Sequence, residues 1–369
     1  METTKVAIIG VGDISGIYLE NLTKIFRQIE VAGVCDLVRE KAEKAQAKYG
    51  IAKIYETMHD AFADDQVEII VNLTRPYEHF EVTKGALEAG KHVYSEKPLG
   101  ASGEEGQELI ALAAQKGLQI GGAPDTFLGA SIQTCRKLID DGFIGDVLGF
   151  NASMICRGHE SWHPDPAFYY QFGGGPMLDM GPYYLTTLVN LVGRVSGVTS
   201  VVRTSFKQRL ITSQPRSGTL VDVEVPTYIT GILEMDNGAL GNIFTTFDVV
   251  YKEQARFEIY GSEGTLIVPD PNCFGNPIYL LRPETGEWRE MPLLFDYQEN
   301  SRGLGLADMA AAIKGGRPIR ANMEQLYHVL DVMTAFKRSS DKKAREEIHS
   351  PFERQAPMEK AKVIGIVEN

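Results

Sequence analysis

The first 120 residues alternate short β-branched runs with stretches whose apolar residues recur at helical spacing. Strands are expected at Lys5–Ile9, Val31–Cys35, Ile69–Leu73, His92–Tyr94 and Leu118–Ile120. Helices are expected at Ile14–Arg27, Arg39–Lys48, Glu78–Ala89 and Glu104–Lys116. Ser102 and Glu105 have the spacing of a capping box at the start of the last helix. Strand, helix, strand in this rhythm constrains the chain to a parallel sheet covered on both faces.

The pattern changes near Gly145. A helix over Ile132–Asp141 ends in "DGFIGDV", and longer alternating runs follow. They are Val147–Ile155, Val198–Phe206, Thr227–Met235, Ala239–Phe247, Ala255–Tyr260 and Thr265–Val268. "MDNGA" at 235–239 and "GSEG" at 261–264 are hairpin turn signals. These runs predict a large, mostly antiparallel open sheet. Helical stretches Gly305–Lys314 and Glu324–Arg338 come next, then a tail with two prolines from Ser350. A chain of 369 residues is long enough for two domains. The fold class is α/β, with a first domain at 1–122 and a second at 123–369. The last helices and the tail are expected to return to the first domain.

Composition excludes several classes of partner. The net charge of −12 argues against nucleic acid or an anionic membrane. No apolar run approaches the ~20 residues that span a bilayer. The opening METTKVAIIG reads as a first strand rather than a signal peptide. Cys35, Cys135, Cys156 and Cys273 are scattered, which suits neither a disulfide framework nor a metal site and fits a cytoplasmic protein.

The most informative motif follows the first strand. "AIIGVGDISG" gives Gly10-x-Gly12-x-x-Ser15-Gly16 between a strand and a helix. Such a turn lets backbone approach a pyrophosphate, which then sits on the helix N-terminus. Asp36, 20 residues past Gly16 and at the end of the second strand, is placed to hold ribose hydroxyls. Its carboxylate repels a 2′-phosphate, so NAD is expected in preference to NADP. Arg39 is either an acceptor for that phosphate or a solvated residue in the first turn of a helix.

In an open parallel sheet, ligands bind beyond the carboxyl ends of the strands. "NLTRPYEH" and "SEKPLG" stand there. Pro98 restricts the backbone of Lys97 and aims it from a stiff loop. Farther on, "GGGPMLDMGPYY" sets a carboxylate, Asp179, in an apolar helix start, where it needs a polar ligand or cation nearby. Positions four apart share a helix face, so Asp179 and Tyr183 are expected to point the same way.

Gly10-x-Gly12, Thr74-x-Pro76-x-x-His79, Glu96-Lys97-Pro98 and Asp179 with Tyr183 occur in an order that resembles the Gfo/Idh/MocA family. The resemblance runs from Lys5 to around Arg338. It implies a Rossmann domain, then an α/β domain with a large antiparallel sheet. It also implies hydride transfer between nicotinamide and a hydroxyl carbon of a sugar or cyclic polyol. The implied cofactor residues are Gly10, Gly12, Asp13, Ile14, Ser15, Asp36, Arg39, Thr74, Pro76, His79, Glu96 and Lys97. The implied catalytic residues are Lys97 and Asp179, whose ammonium and carboxylate are natural partners. The family's histidine, four residues after the aspartate, is replaced by Tyr183. Either Lys97 accepts the proton and Tyr183 donates a hydrogen bond to the substrate, or Tyr183 is packing and the site is inert.

"CRGHESWHPDPAFYYQFGGG" holds Arg157, His159, Trp162, His163, Asp165 and Tyr169. Of these, Arg157, Trp162, His163 and Tyr169 are candidate sugar ligands, and His163 is an alternative acid/base. Asp125 in "APDTFLG" is either a sugar ligand or a helix N-cap. "APDTFLG" and "DMGPYY" together resemble a subgroup of bacterial enzymes that oxidise the C3 hydroxyl of glycosides. The expected activity is NAD-dependent oxidation of a pyranose hydroxyl, at C3. The alternatives are NADH-dependent reduction of a keto-sugar or cyclic polyol ketone, and a non-catalytic dinucleotide-binding regulator. Strands with apolar residues at both alternations imply a homo-oligomer formed through the second domain's sheet.

Overall fold

The structure is a computed structural model that describes residues 3–251 and 256–368. Its first elements are β1 (Thr4–Ile9), α1 (Ser15–Lys24), β2 (Ile29–Cys35), α2 (Arg39–Tyr49), β3 (Lys53–Ile54), α3 (Met58–Phe62), β4 (Ile69–Asn72), α4 (His79–Glu88), β5 (His92–Ser95), α5 (Gly103–Lys116) and β6 (Ile120–Gly122). Next come α6 (Ala130–Asp140), β7 (Val147–Ile155), α7 (Pro176–Asp179), α8 (Gly181–Leu191), β8 (Val195–Arg203), β9 (Gln208–Leu210), β10 (Leu220–Asp222), β11 (Tyr228–Met235) and β12 (Leu240–Thr246). The chain closes with β13 (Phe257–Gly261), β14 (Thr265–Ile267), β15 (Ile278–Leu281), β16 (Trp288–Met291), α9 (Leu304–Gly315), α10 (Met323–Lys342) and β17 (Glu346–Glu347). The expected strand from Ala255 begins at Phe257, and Ala255 itself lies outside the described residues.

The chain forms two compact units. One comprises the chain to Ala130, Phe295–Tyr327 and the segment from Gln355; the other comprises Ser131–Leu294 and His328–Arg354. The first unit is a six-stranded parallel sheet in the order β3-β2-β1-β4-β5-β6. Val6, Ile8, Ile69, Ile70 and Val71 are fully buried, as expected of strands covered on both faces. The order reverses between β1 and β4, which opens a crevice at their carboxyl ends. β3 and α3 escape sequence periodicity because they span only two and five residues. The box at Ser102 differs from expectation. Ser102 Oγ accepts from Glu105 N–H at 3.3 Å, but the Glu105 carboxylate accepts from Ala101 N–H instead. Late segments belong to this unit. Asn21 Nδ2 donates to the carbonyls of Asn300 and Arg302, and buried Gln28 donates to Ala307 and accepts from Val367 N–H.

The second unit is a nine-stranded sheet in the order β16-β15-β14-β13-β7-β12-β11-β8-β17. The expected turns close β11–β12 and β13–β14. All pairs are antiparallel except the central pair of β7 and β12, which is parallel. The connection between those two is long enough to cross over, which a hairpin cannot do. Val198, Ile229, Leu233 and Ile243 point inward, where Ser200 N–H donates to Ser339 Oγ of α10 at 3.0 Å. Val201, Ile232 and Leu240 point outward and are exposed. β9 and β10 form a separate ribbon of three residues per strand.

Candidate active site

Two glycines of the first turn do different work. Gly10 ends β1 at φ +94°, and a Cβ there would lie 2.8 Å from the Leu73 carbonyl carbon and 2.9 Å from Thr74 N. Only glycine lets the turn approach the end of β4 so closely. At Gly12 a Cβ would meet nothing within 4 Å, so this side of the turn is open. Ser15 Oγ donates to Gly12 O at 2.6 Å and is buried, so Ser15 shapes the turn from within. Ile14, at the N-cap of α1, supplies no side-chain cap, while Asp13 is exposed. An open glycine face over first-turn N–H groups fits a pyrophosphate.

β2 delivers Asp36 beside this turn. Oδ2 accepts from Val11 N–H at 2.7 Å and Oδ1 from Val38 N–H at 2.8 Å, which fixes the carboxylate. Each oxygen keeps a further lone pair suited to a ribose hydroxyl. Arg39 is paired with Glu56 and, at 3.0 Å, with Glu43. Hydrogen bonds to these carboxylates, Glu56 first, push its pKa up. Two neighbouring anions oppose a 2′-phosphate, so the structure favours the solvated reading of Arg39 over a cofactor contact.

The two loops beyond β4 and β5 are tied to each other. Asn72 Oδ1 accepts from Thr74 N–H at 3.2 Å and Thr74 Oγ1 at 2.6 Å, and its Nδ2 donates to His79 O and Thr83 Oγ1. His79 is buried, with Nδ1 2.7 Å from Pro98 O and Nε2 3.1 Å from Thr74 O. Burial lowers its pKa. Glu96 is buried too: Oε1 accepts from Tyr18 OH at 2.9 Å and Oε2 from Lys97 N–H at 3.0 Å. The side chains of Thr74, His79 and Glu96 thus hold the geometry of the two loops. Half-buried Pro76 lies on the first loop and half-buried Lys97 on the second, where the Lys97–Pro98 bond is cis.

Asp125 does not cap its own helical turn, as the N-cap alternative expected. It is 1% exposed, and Oδ2 accepts from Gly303 N–H at 2.8 Å and Gly305 N–H at 3.0 Å, at the start of α9. Burial raises its pKa against these hydrogen bonds. Asp125 therefore ties its turn to the start of α9.

In the second unit, the loop after β7 is anchored by Arg209 of β9. Its buried guanidinium pairs with Glu160, meets Asp248 Oδ1 at 2.8 Å, and donates to the carbonyls of Arg157 and Phe247. Tyr170 OH donates to Glu160 at 2.6 Å, and burial raises the Tyr170 pKa. On this anchor the rings gather. His159 lies 4.0 Å from Tyr169, 4.7 Å from Phe247 and 5.3 Å from Trp162, centroid to centroid. His163 packs against Trp162, Phe168 and Tyr169, and its Nδ1 accepts from Asp165 N–H at 3.0 Å. Trp162 is 60% exposed. Arg157 turns to the Asp248 carbonyl at 3.3 Å and lies over the Phe206 ring.

The helix expected to carry both Asp179 and Tyr183 is broken. Asp179 ends α7, with its N–H donating to Gly175 O at 2.9 Å. Pro182 lacks an N–H, and Tyr183 N–H donates to Met180 O, three residues back, as α8 begins. Tyr183 is 6% exposed. Asp179 Oδ2 lies 3.3 Å from His159 Nε2. Loop spacing carries no signal for this meeting, so His159 is not among the catalytic residues expected from sequence. Lys97, the partner expected for Asp179, belongs to the first unit.

Family comparison agrees with the architecture. Residues 4–122 match the oxidoreductase family's NAD-binding Rossmann fold, and residues 132–267 match the GFO/IDH/MocA C-terminal domain. The chain is similar to an inositol 2-dehydrogenase/D-chiro-inositol 3-dehydrogenase of Lactiplantibacillus plantarum, 36% identical over 39% of this chain and 42% of that protein. It is 25% identical to a levoglucosan dehydrogenase of Pseudarthrobacter phenanthrenivorans over 62% of each chain. These matches span less than two thirds of either relative's length. In fold it is similar to a levoglucosan dehydrogenase solved with NADH and L-sorbose: TM-score 0.80, 20% identity, 94% of this chain and 99% of that one. The open Gly12 turn, the Asp36 carboxylate at the end of β2 and both domain matches assign the chain to the GFO/IDH/MocA family of oxidoreductases with an NAD-binding Rossmann domain.

Proposed function

We propose that this chain is an NAD-dependent dehydrogenase of a sugar or glycoside hydroxyl, and that the pyranose C3 hydroxyl is the one oxidised. The observation that carries the reading is the Asp179 carboxylate held 3.3 Å from an imidazole beside the rings of Trp162 and Tyr169. Aromatic faces suit the C–H faces of a pyranose, and a carboxylate suits its hydroxyls. Oxidation removes a hydride, one proton with two electrons, from the carbinol carbon and a second proton from its oxygen, leaving a ketone. Bound NAD would supply the two-electron acceptor. Gly12, the α1 N-terminus and Asp36 would hold its pyrophosphate and ribose. Lys97 takes the hydroxyl proton; a lysine serves as a base where desolvation favours the neutral amine.

The test is an absorbance scan of purified protein with NAD and a panel of glycosides, aldoses and inositols. Growth of the reduced-nicotinamide band with a pyranoside, and product analysis giving the 3-ketone, are expected. NAD binding without turnover across the panel would favour a regulator instead. Lys97→Ala should lower kcat by ~10²–10⁴-fold while NADH binding stays within a few-fold. The outer sheet face, with Val201, Ile232 and Leu240 exposed, supports pairing with a second copy of the chain. A monomer by light scattering at micromolar concentration would refute that pairing.

A further inference from the structure

His159 Nε2 is buried, within ion-pair reach of Asp179 Oδ2 at 3.3 Å, yet it has no aligned hydrogen-bond partner. Buried ring nitrogens are ordinarily satisfied, and one that is not requires an explanation. The rest of the imidazole is firmly placed: Tyr169, Phe247 and Trp162 wall the ring, and the backbone N–H of His159 donates to Tyr170 OH at 3.4 Å. Its position is therefore set from behind by the Arg209 anchor, not by Asp179. Hydrogen bonds in reactive sites are commonly long or misaligned before the substrate binds, and tighten in the complex.

We propose that His159 is the positioning residue for Asp179. On substrate binding its Nε2–H aligns onto one carboxylate oxygen and holds the other toward the sugar hydroxyl. The role needs a donor at the Nε2 position and no proton transfer. The titratable and charged groups packed about this imidazole are Asp179 on α7, Tyr169 and Tyr170 on the turn before it, and Glu160 and His163 on its own loop. Arg209 and Asp248 lie behind Phe247. Glu160 and Asp248 are already paired with Arg209, so Asp179 is the carboxylate the imidazole can serve.

The proposal rests on the dehydrogenase reading, and the experiment separates the two. Steady-state kinetics are measured for wild type, His159→Phe and His159→Gln on the best substrate of the sugar panel, with NADH affinity and melting temperature alongside. Phe keeps the ring packing and deletes both nitrogens; Gln restores an amide donor near the Nε2 position. His159→Phe should lose roughly ten- to hundred-fold in kcat, the scale of one hydrogen bond to a charged group, at unchanged NADH affinity. His159→Gln should recover most of that loss. Full activity in His159→Phe overturns the proposal. So does a Gln variant as impaired as Phe at an unchanged melting temperature, because the imidazole would then be needed as a titrating acid/base. A wild type with no turnover on any sugar overturns the dehydrogenase reading, and the positioning role with it.

Discussion

Gly10→Ala and Gly12→Ala lie two residues apart and should fail in opposite ways. At Gly10 the new methyl would sit 2.8 Å from the Leu73 carbonyl carbon, on a backbone at φ +94°. Left-handed backbone costs a non-glycine residue about 1–2 kcal/mol, and overpacking costs about 1–3 kcal/mol more. The sum, about 2–5 kcal/mol, lowers Tm by roughly 5–20 °C in a domain of this size. At Gly12 nothing lies within 4 Å of the new methyl and φ is not in the left-handed region. Stability should therefore hold, or rise by about 0.4–1 kcal/mol because the unfolded chain loses freedom. The methyl would instead occupy the face that meets the pyrophosphate. Overpacking there costs about 1–3 kcal/mol of binding, or roughly 5- to 150-fold in Kd. Thermal unfolding without ligand and NADH fluorescence titration measure the two effects. The reasoning is refuted if Gly10→Ala melts within a degree of wild type, or if Gly12→Ala destabilises the fold and leaves NADH affinity untouched.

Three further outcomes are expected. Asp36→Ala should weaken NAD and narrow its advantage over NADP, since a hydroxyl acceptor and an anionic barrier go together; a wild type that prefers NADP would contradict this. Asp125→Ala should lose about 1–3 kcal/mol, whereas Asp125→Asn keeps the acceptor for Gly303 and Gly305. Burial raises the folded pKa of Asp125, so the native carboxyl contributes its full stability below the ordinary aspartate range and loses it as pH rises toward the folded value. The Asn variant should therefore gain on wild type as pH rises above the ordinary aspartate range in urea titrations, and a constant difference would count against the assignment. Arg209→Met leaves Glu160 and Asp248 buried without their cation, at a cost of about 3–5 kcal/mol; a melting temperature within two degrees of wild type would show that solvent reaches the cluster.

The parallel sheet was legible because its strands are continuous apolar runs divided by amphipathic helices, and β7 was read to the residue. The cofactor turn was legible because its glycines, its flanking elements and Asp36 are all local. What failed was long-range. Asp125 looked like a local cap or a ligand, and its partners lie 178 and 180 residues away. The Arg209 anchor joins Glu160 and Asp248 across 49 and 39 residues, and no periodicity marks it. The helix through Asp179 read as continuous because helical spacing alone does not reveal how strongly Pro182 interrupts it. His159 stood in a loop crowded with candidates, and only the fold selects which of them meets the carboxylate.

The parallel pair at the middle of the second sheet has a consequence for how such a protein can diversify. Leaving β7 and returning at β12 requires a long excursion, and that excursion contains the ring-bearing loop, Asp179 and Tyr183. Both ends of the excursion are locked into one ladder, from Gly149 opposite Leu240 to Ile155 opposite Thr246. Residues between Cys156 and Met180, apart from the Glu160 and Tyr170 anchor points and the His159–Asp179 pair, can therefore be exchanged while the strand register stays fixed. A lineage can rewrite what the pocket accepts at little risk to the scaffold, as a lock can be rekeyed without rehanging the door.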